Sequence, residues 1–368
     1  RKDNMLNQLR EEMVTPGSDL KLATSVCKNC MYQEKHFGRS RRQAALKIQS
    51  NNIRLWPRIR NAVEEFRKDG RVTFRERLLE VQVKAFGNTC NLDCYMCIPY
   101  DSSTRLSTIH SEELKGETIF SDFAKTPPDI IDKNTMDDII DDIVSVAPYI
   151  YNLKLIGGEP LVMKNHYKLL DKLVATGHSK GIDLIYKTNL SVFDMDGYNF
   201  RDYFDHFKEF VMKISIDSYG KHNDYLRKKS DWTSLVDNMK TMRARRNARV
   251  NVHSVISFLS VLENYKLIAM LKDMGIQHTF YIIEHPRILQ VKNLPKEIKE
   301  KLKPLYKDYP NILKALDKEQ DVEEFIKTID YCQDLDQNGF SKKEGHDLFT
   351  THPELEDYYL KAKRETNY

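Results

Sequence analysis

From about residue 80 the chain alternates short β-rich runs with amphipathic stretches, and this alternation limits its fold more than any other feature. The strand candidates are Val81–Phe86, Ile150–Ile156, Ile182–Lys187, Phe210–Ile216, Val250–Ile256 and His278–Ile283, rich in Val, Ile, Leu, Phe and Tyr. Between them, Met136–Val146, Tyr167–Thr176, Tyr203–Lys208, Trp232–Arg243 and Tyr265–Met274 repeat apolar residues at three and four. That spacing is the stripe of a helix with one buried face. Strands separated by helices pair in parallel through right-handed crossovers. Six strands are too few to close an eight-fold barrel. The expected fold is therefore α/β, a partial (β/α)6 barrel over residues 80–285 with helical N- and C-terminal extensions over 1–79 and 286–368.

In such a fold, ligand-binding groups gather at the carboxyl ends of the strands. The first strand runs directly into Cys90, Cys94 and Cys97, spaced C-x3-C-x2-C. Three thiolates on one short loop can hold three irons of a [4Fe–4S] cube and leave the fourth open to a small molecule. A zinc knuckle or paired disulfides is the alternative, although structural zinc normally closes its coordination with a fourth ligand. After the second strand comes Gly157-Gly158-Glu159-Pro160. Paired glycines permit close backbone approach or a positive φ, and Glu159 can accept hydrogen bonds from an ammonium group. The third strand ends in Lys187-Thr188-Asn189-Leu190-Ser191, a cluster suited to ribose hydroxyls. The fourth ends in Ser215-Ile216-Asp217-Ser218, with Arg227 ten residues beyond Asp217. A guanidinium there can clamp a carboxylate.

Singly, each of these has a plainer reading. The glycines suit a tight turn, Asn189 and Asp217 suit helix caps, and Arg227 suits an exposed charge. Together they offer partners for an amine, a sugar and a carboxylate, and S-adenosylmethionine (SAM) carries all three. Candidate substrate-lining residues are Tyr100, Asp101, Ser102, Ser103 and Arg105 after the cysteine loop, with His253 and Glu284 near the last two strand ends.

The cysteine triplet resembles the radical SAM signature. It departs from the usual pattern in having Met96, with Tyr95 one position earlier, where an aromatic residue commonly precedes the last cysteine. Gly157-Gly158-Glu159-Pro160 is similar to that superfamily's SAM-amine motif. The resemblance implies an enzyme in which an open iron chelates the methionyl group and one electron cleaves SAM to a 5′-deoxyadenosyl radical. It also implies that Glu159 holds the amine, Asn189 and Ser215 the ribose and Arg227 the carboxylate, with the Met96 backbone near the adenine.

Further upstream, Cys27-Lys28-Asn29-Cys30, with Glu34 and Gly38-Arg39-Ser40-Arg41-Arg42-Gln43, resembles twitch-type radical SAM proteins, which carry part of a SPASM-like auxiliary iron–sulfur domain. No cysteine precedes Cys27, and Cys332 stands in a context unlike a ligand motif. Cys27 and Cys30 are read as ligands of an auxiliary iron–sulfur cluster, complete in this chain or stranded by an N-terminal truncation, or as a simple dithiol. The chain opens on Arg1, and its natural start is expected further upstream.

Composition narrows the setting. Net charge is +4, from 58 basic and 54 acidic residues, too balanced to indicate a nucleic-acid partner. Short basic runs such as Arg243-Ala244-Arg245-Arg246 fit solvated helix faces. No apolar run approaches the roughly 18 residues that span a bilayer, and no signal-peptide pattern opens the chain. A cytoplasmic protein is expected, its thiols reduced. Its implied partners are a small-molecule or peptide substrate and an electron donor such as flavodoxin or ferredoxin. The competing reading is a non-catalytic binding module stabilised by zinc or a closed cluster, which would not need the glycine motif or Arg227.

Overall fold

The computed structural model describes residues 8–9, 11–12, 25, 28–38, 40, 43–44, 47, 55–69, 79–84, 86–109, 133–338 and 347–366. Cys27 and most of the basic stretch 39–50 lie outside them. The chain divides into two compact units, residues 1–80 with 146–151 and residues 81–145 with 152–368.

In the first unit, α1 spans Lys28–Phe37 and α2 spans Trp56–Asp69. Glu34 near the end of α1 accepts from Ser40 Oγ at 2.5 Å. That hydroxyl in turn accepts from the Gln43 amide at 3.1 Å, a cap on the helical residues that follow.

Most of the second unit is built on a six-stranded sheet in sequential order, whose first two strands begin in residues of the first unit. Its strands are β1 (Leu79–Val83), β2 (Ile150–Leu155), β3 (Asp183–Thr188), β4 (Glu209–Ser215), β5 (Ala248–Ile256) and β6 (Gln277–Ile282). From β2 to β6 every neighbouring pair is parallel. The helices α3 (Ser103–Ile109) and α4 (Lys133–Ser145) lie between β1 and β2, and α5 (Lys164–Ala175) connects β2 to β3. Next come α6 (Lys221–Leu226), α7 (Trp232–Arg243) and α8 (Ser260–Asp273). The open, partial barrel is the expected α/β fold.

Local chemistry accounts for the elements. Asp231 caps α7 by accepting from the Ser234 amide at 2.8 Å, and Leu235, Met239 and Met242 form its buried stripe. On the sheet, Leu184, Tyr186, Met212, Ile214, Val252 and Ile256 are fully buried at alternate positions. Burying each such side chain contributes on the order of 1.5–3 kcal/mol.

One expected element differs. Tyr203–Lys208 is not a helix; a single 3-10 turn covers Phe200–Tyr203. The periodicity there belongs to an aromatic cluster, with Phe200 edge-on to Phe204 at 5.5 Å and to Phe210 at 5.7 Å between ring centres. Edge-to-face packing satisfies these rings within a turn, so no helix is needed to bury them.

After β6 the chain is helical: α9 (Lys296–Leu302), α10 (Pro310–Leu316), α11 (Val322–Asn338), α12 (Leu348–Thr351) and α13 (Glu356–Thr366). This segment shares one apolar core with Tyr95, Tyr225, Leu226 and Ile256 of the barrel. Among the described residues no helix is long and apolar enough to cross a membrane.

His166 of α5 is fully buried, its Nε2 2.7 Å from the Tyr186 hydroxyl. Burial pushes its pKa down to about 3. The unfolded chain binds a proton there below about 6.5 that the folded chain refuses. Stability from this site is therefore complete above about pH 6.5 and falls on acidification by up to about 1.4 kcal/mol per pH unit. Urea titrations between pH 7 and 4 should show a shallower loss in His166→Gln than in wild type, and equal slopes would contradict the assignment.

Candidate active site

The cysteine loop is held from behind by buried polar contacts. Asp93 and Cys94 form a short antiparallel bridge with Lys228 and Arg227, and the Tyr95 amide donates to Leu226 O at 3.0 Å. The Cys90 amide donates to Ser103 Oγ at 3.4 Å, while Thr104 Oγ1 donates to Cys90 O at 2.6 Å. Below them Arg105 and Asp93, only 1% and 2% exposed, pair at 3.5 Å. Arg105 also donates to the Tyr331 hydroxyl, which donates to Tyr95 O at 3.1 Å. Asp336 of α11 accepts from Tyr95 Oη at 2.7 Å and from Lys228 Nζ at 2.8 Å.

These contacts relocate several candidate substrate residues. Ser102 and Arg105 are each only 1% exposed, buried behind the loop, and neither lines the cysteine cavity. Ser103 serves the Cys90 backbone. Tyr100 is exposed, with Lys84 Nζ 5.1 Å above its ring, and Lys84 also pairs with Asp101 at 2.6 Å.

The glycine pair closes on the start of the same loop. Gly157 and Gly158 have φ of 100° and 43°, and a Cβ on Gly158 would lie 2.2 Å from Thr89 O. The Glu159 amide donates to that same oxygen at 2.8 Å. The Glu159 carboxylate is 1% exposed. Its Oε1 accepts from Thr188 Oγ1 at 2.7 Å and the Leu161 amide at 3.1 Å, and its Oε2 accepts from the Asn189 amide at 2.5 Å. Burial pushes its pKa up to about 7, while these donors and Arg227 pull the other way. Glu159 thus joins the ends of β2 and β3. Asn189 extends the tie, its Nδ2 donating to Asn91 Oδ1 of the cysteine loop at 3.0 Å and its Oδ1 accepting from the Ser191 amide at 2.9 Å.

Arg227 is not an exposed charge. Its side chain is 11% exposed, and its Nε lies 2.7 Å from Oδ2 of Asp217, which is fully buried. Its Nη1 is 3.7 Å from Cys94 Sγ. Burial raises the pKa of all three loop thiols, that of Cys97 to about 12, and the Arg227 charge opposes the rise at each.

One cavity of about 400 Å³ is lined by Cys90, Cys94, Met96, Cys97, Gly157, Gly158, Glu159, Asn189, Ser215 and Arg227. The residues singled out for a cluster and for SAM therefore face one space. Lys84, Asp101, Ile156, Lys187 and Thr188 complete the lining. Of these, Ile156, Lys187 and Thr188 adjoin recognisable motifs, whereas Lys84 carried no signal. Three thiols bordering one cavity beside a buried guanidinium suit a cluster held by three cysteines. Among the described residues, no three His, Cys, Asp or Glu side chains converge as ligands of a single metal ion. Cys30 is half-buried at the start of α1, and Cys332 is fully buried in the core of the second unit. His253 borders a second cavity and Glu284 a third.

Residues 85–262 match the model of the Radical SAM superfamily. Residues 85–262 therefore carry a radical SAM domain. No curated protein matches it. Among solved structures, anSMEcpe with bound AdoMet is similar at 14% identity and a TM-score of 0.40, the alignment covering 67% of this chain and 65% of that one. SuiB of Streptococcus suis bound to S-adenosylmethionine is similar at 14% identity and a TM-score of 0.40, covering 85% of this chain and 64% of that one. The chain thus spans 65% and 64% of the lengths of these two structures.

Gly158→Ala should force the loop at Thr89 to move and lower stability by about 1–3 kcal/mol, the usual cost of overpacking. Gly177→Ala, where φ is 73° and a Cβ meets nothing within 4 Å, should cost only about 1 kcal/mol. Chemical denaturation of both variants checks the contrast, and equal losses would contradict the close approach.

Proposed function

We propose that the protein reductively cleaves SAM at a [4Fe–4S] cluster held by Cys90, Cys94 and Cys97 and uses the resulting radical to oxidise or rearrange a small-molecule or peptide substrate. The observation that carries this reading is the single cavity shared by the three thiols, the glycine pair, Asn189, Ser215 and Arg227. When bound, the cluster supplies one electron to SAM, giving methionine and a 5′-deoxyadenosyl radical that removes a substrate hydrogen.

The chain's own residues bind and orient. Gly157 and Gly158 let the β2 end approach the cysteine loop where no side chain fits. Glu159 offers the cavity carboxylate oxygens for the methionyl amine. Arg227 has guanidinium donors beyond those facing Asp217 and Cys94, available to the methionyl carboxylate. Asn189 and Ser215 offer polar contacts for the ribose, and the Met96 backbone, which borders the same cavity, would hold the adenine. The electron comes from a small carrier protein of the flavodoxin or ferredoxin kind. Cys27 and Cys30 do not complete a second cluster in this chain.

The experiment is anaerobic reconstitution followed by assay with SAM and a strong reductant. Wild type should be brown, hold about four irons per chain and release 5′-deoxyadenosine. Cys94→Ala leaves two thiolates and should abolish that product. Retention of the wild-type rate in the variant, or a colourless wild type with one zinc, would overturn the reading.

A further inference from the structure

The cavity that Glu284 borders, of about 390 Å³, lies along the outer edge of the sheet. On the sheet side it is lined by the end of β6, from Phe280 through Ile283 to Glu284. On the helical side it is lined by Lys314 of α10 and by Lys318 just beyond that helix. β6 is the last strand in the order, and among the described residues no strand pairs with its outer side. The Ile283 amide donates inward to Ile256 O of β5 at 3.0 Å. Successive residues of a strand turn their N–H and C=O groups to opposite edges, so those of Phe280 and Ile282 point outward. The open stretch ends at Glu284, whose carbonyl accepts from Gln290 Nε2 at 2.5 Å.

An open edge is a template for another strand, and proteins usually blunt it with a charge, a proline or a covering element. From Gln277 to Ile283 this edge carries no lysine, arginine, carboxylate or proline, and Tyr281 on it is 54% exposed. The charge stands across the groove instead. Lys292, Lys314 and Lys318 line the cavity against the single carboxylate of Glu284. Asp321 lies 3.8 Å from Lys292, whereas among the described residues Lys314 and Lys318 pair with no carboxylate. Lysines set back from the edge leave strand pairing open and select by charge what pairs.

We propose that the outer edge of β6 docks an extended, acidic peptide segment of another polypeptide, which joins the sheet as a seventh strand beside Lys314 and Lys318. Main-chain hydrogen bonds to Phe280 and Ile282 set its register, and its carboxylates meet the lysines. The exposed Tyr281 ring offers it an apolar contact with a polar tip. The inference is independent of the SAM reading, since none of these residues borders the cysteine cavity.

The test is fluorescence anisotropy of the full chain at low salt with a labelled, end-blocked hexapeptide that alternates valine and glutamate. It should bind saturably, and added salt should weaken it. The same peptide with lysine in place of glutamate should not bind. Nor should the acidic peptide N-methylated at every residue, which keeps its charge and loses its main-chain donors. The double variant Lys314→Gln, Lys318→Gln should weaken binding by about ten-fold, the loss of two exposed charge contacts, while Lys314→Arg, Lys318→Arg keeps it. The proposal is overturned if the acidic peptide does not bind, if the N-methylated peptide binds equally well, or if the glutamine double variant binds as wild type does. A chain that sediments as a dimer and excludes the peptide would assign the edge to a second copy and overturn it as well.

Discussion

The buried pair of Asp217 and Arg227 is the constraint on which the site depends. Asp217 follows β4 and is fully buried, with Oδ1 accepting from the Val255 amide of β5 at 2.7 Å and Oδ2 facing Arg227 Nε at 2.7 Å. Its own amide donates to Asn223 Oδ1 at 3.1 Å, and its carbonyl accepts from Asn264 Nδ2 of α8 at 2.8 Å. Arg227 is opposite Cys94 in the short bridge. One ion pair thus fixes the height of the cysteine loop relative to two strand ends and a helix. Breaking a buried pair by removing one partner strands the other charge, at about 3–5 kcal/mol. Neither residue can therefore vary independently of the other.

The same pair decides the chemistry of the thiols. Burial alone disfavours three thiolates on one loop, and each also repels its neighbours. Arg227 favours the thiolate at all three cysteines, and Arg105 adds to this at Cys97. Glu159, by contrast, is satisfied mainly by neutral donors from the ends of β2 and β3. One buried charge thus tunes the cysteine loop, while the other organises the glycine turn that faces it.

Much of this architecture was legible in the sequence, for reasons that differ by element. The buried strands announce themselves by composition, and their observed bounds lie within a few residues of the expected ones. The cysteine spacing and the glycine pair are local in sequence and therefore readable. The buried state of Arg227 was not readable, because its partner Asp217 and its neighbour Cys94 meet it only through the fold. Nor was the true place of Arg105, whose partners Asp93 and Tyr331 lie 12 and 226 residues away. The aromatic turn at Phe200–Tyr203 misled the helical reading because edge-to-face rings repeat at helix-like intervals without needing a helix.

The C-terminal helices acquire a reason in this light. A partial barrel leaves the back of its cysteine loop without the strands that a closed barrel would place there. Here α11 occupies that position. Asp336 and Tyr331 accept from or donate to Tyr95, Lys228 and Arg105, the residues directly behind Cys94 and its bridge partner. Asp336 also accepts from the Leu348 amide at the start of α12 at 2.7 Å, so the helical segment is itself locked by the carboxylate that steadies the loop. Its apolar residues join the core that contains Tyr95 and Tyr225. Loosening α11 would therefore reach the thiols through hydrogen bonds and packing together, although no residue of α11 borders the cysteine cavity.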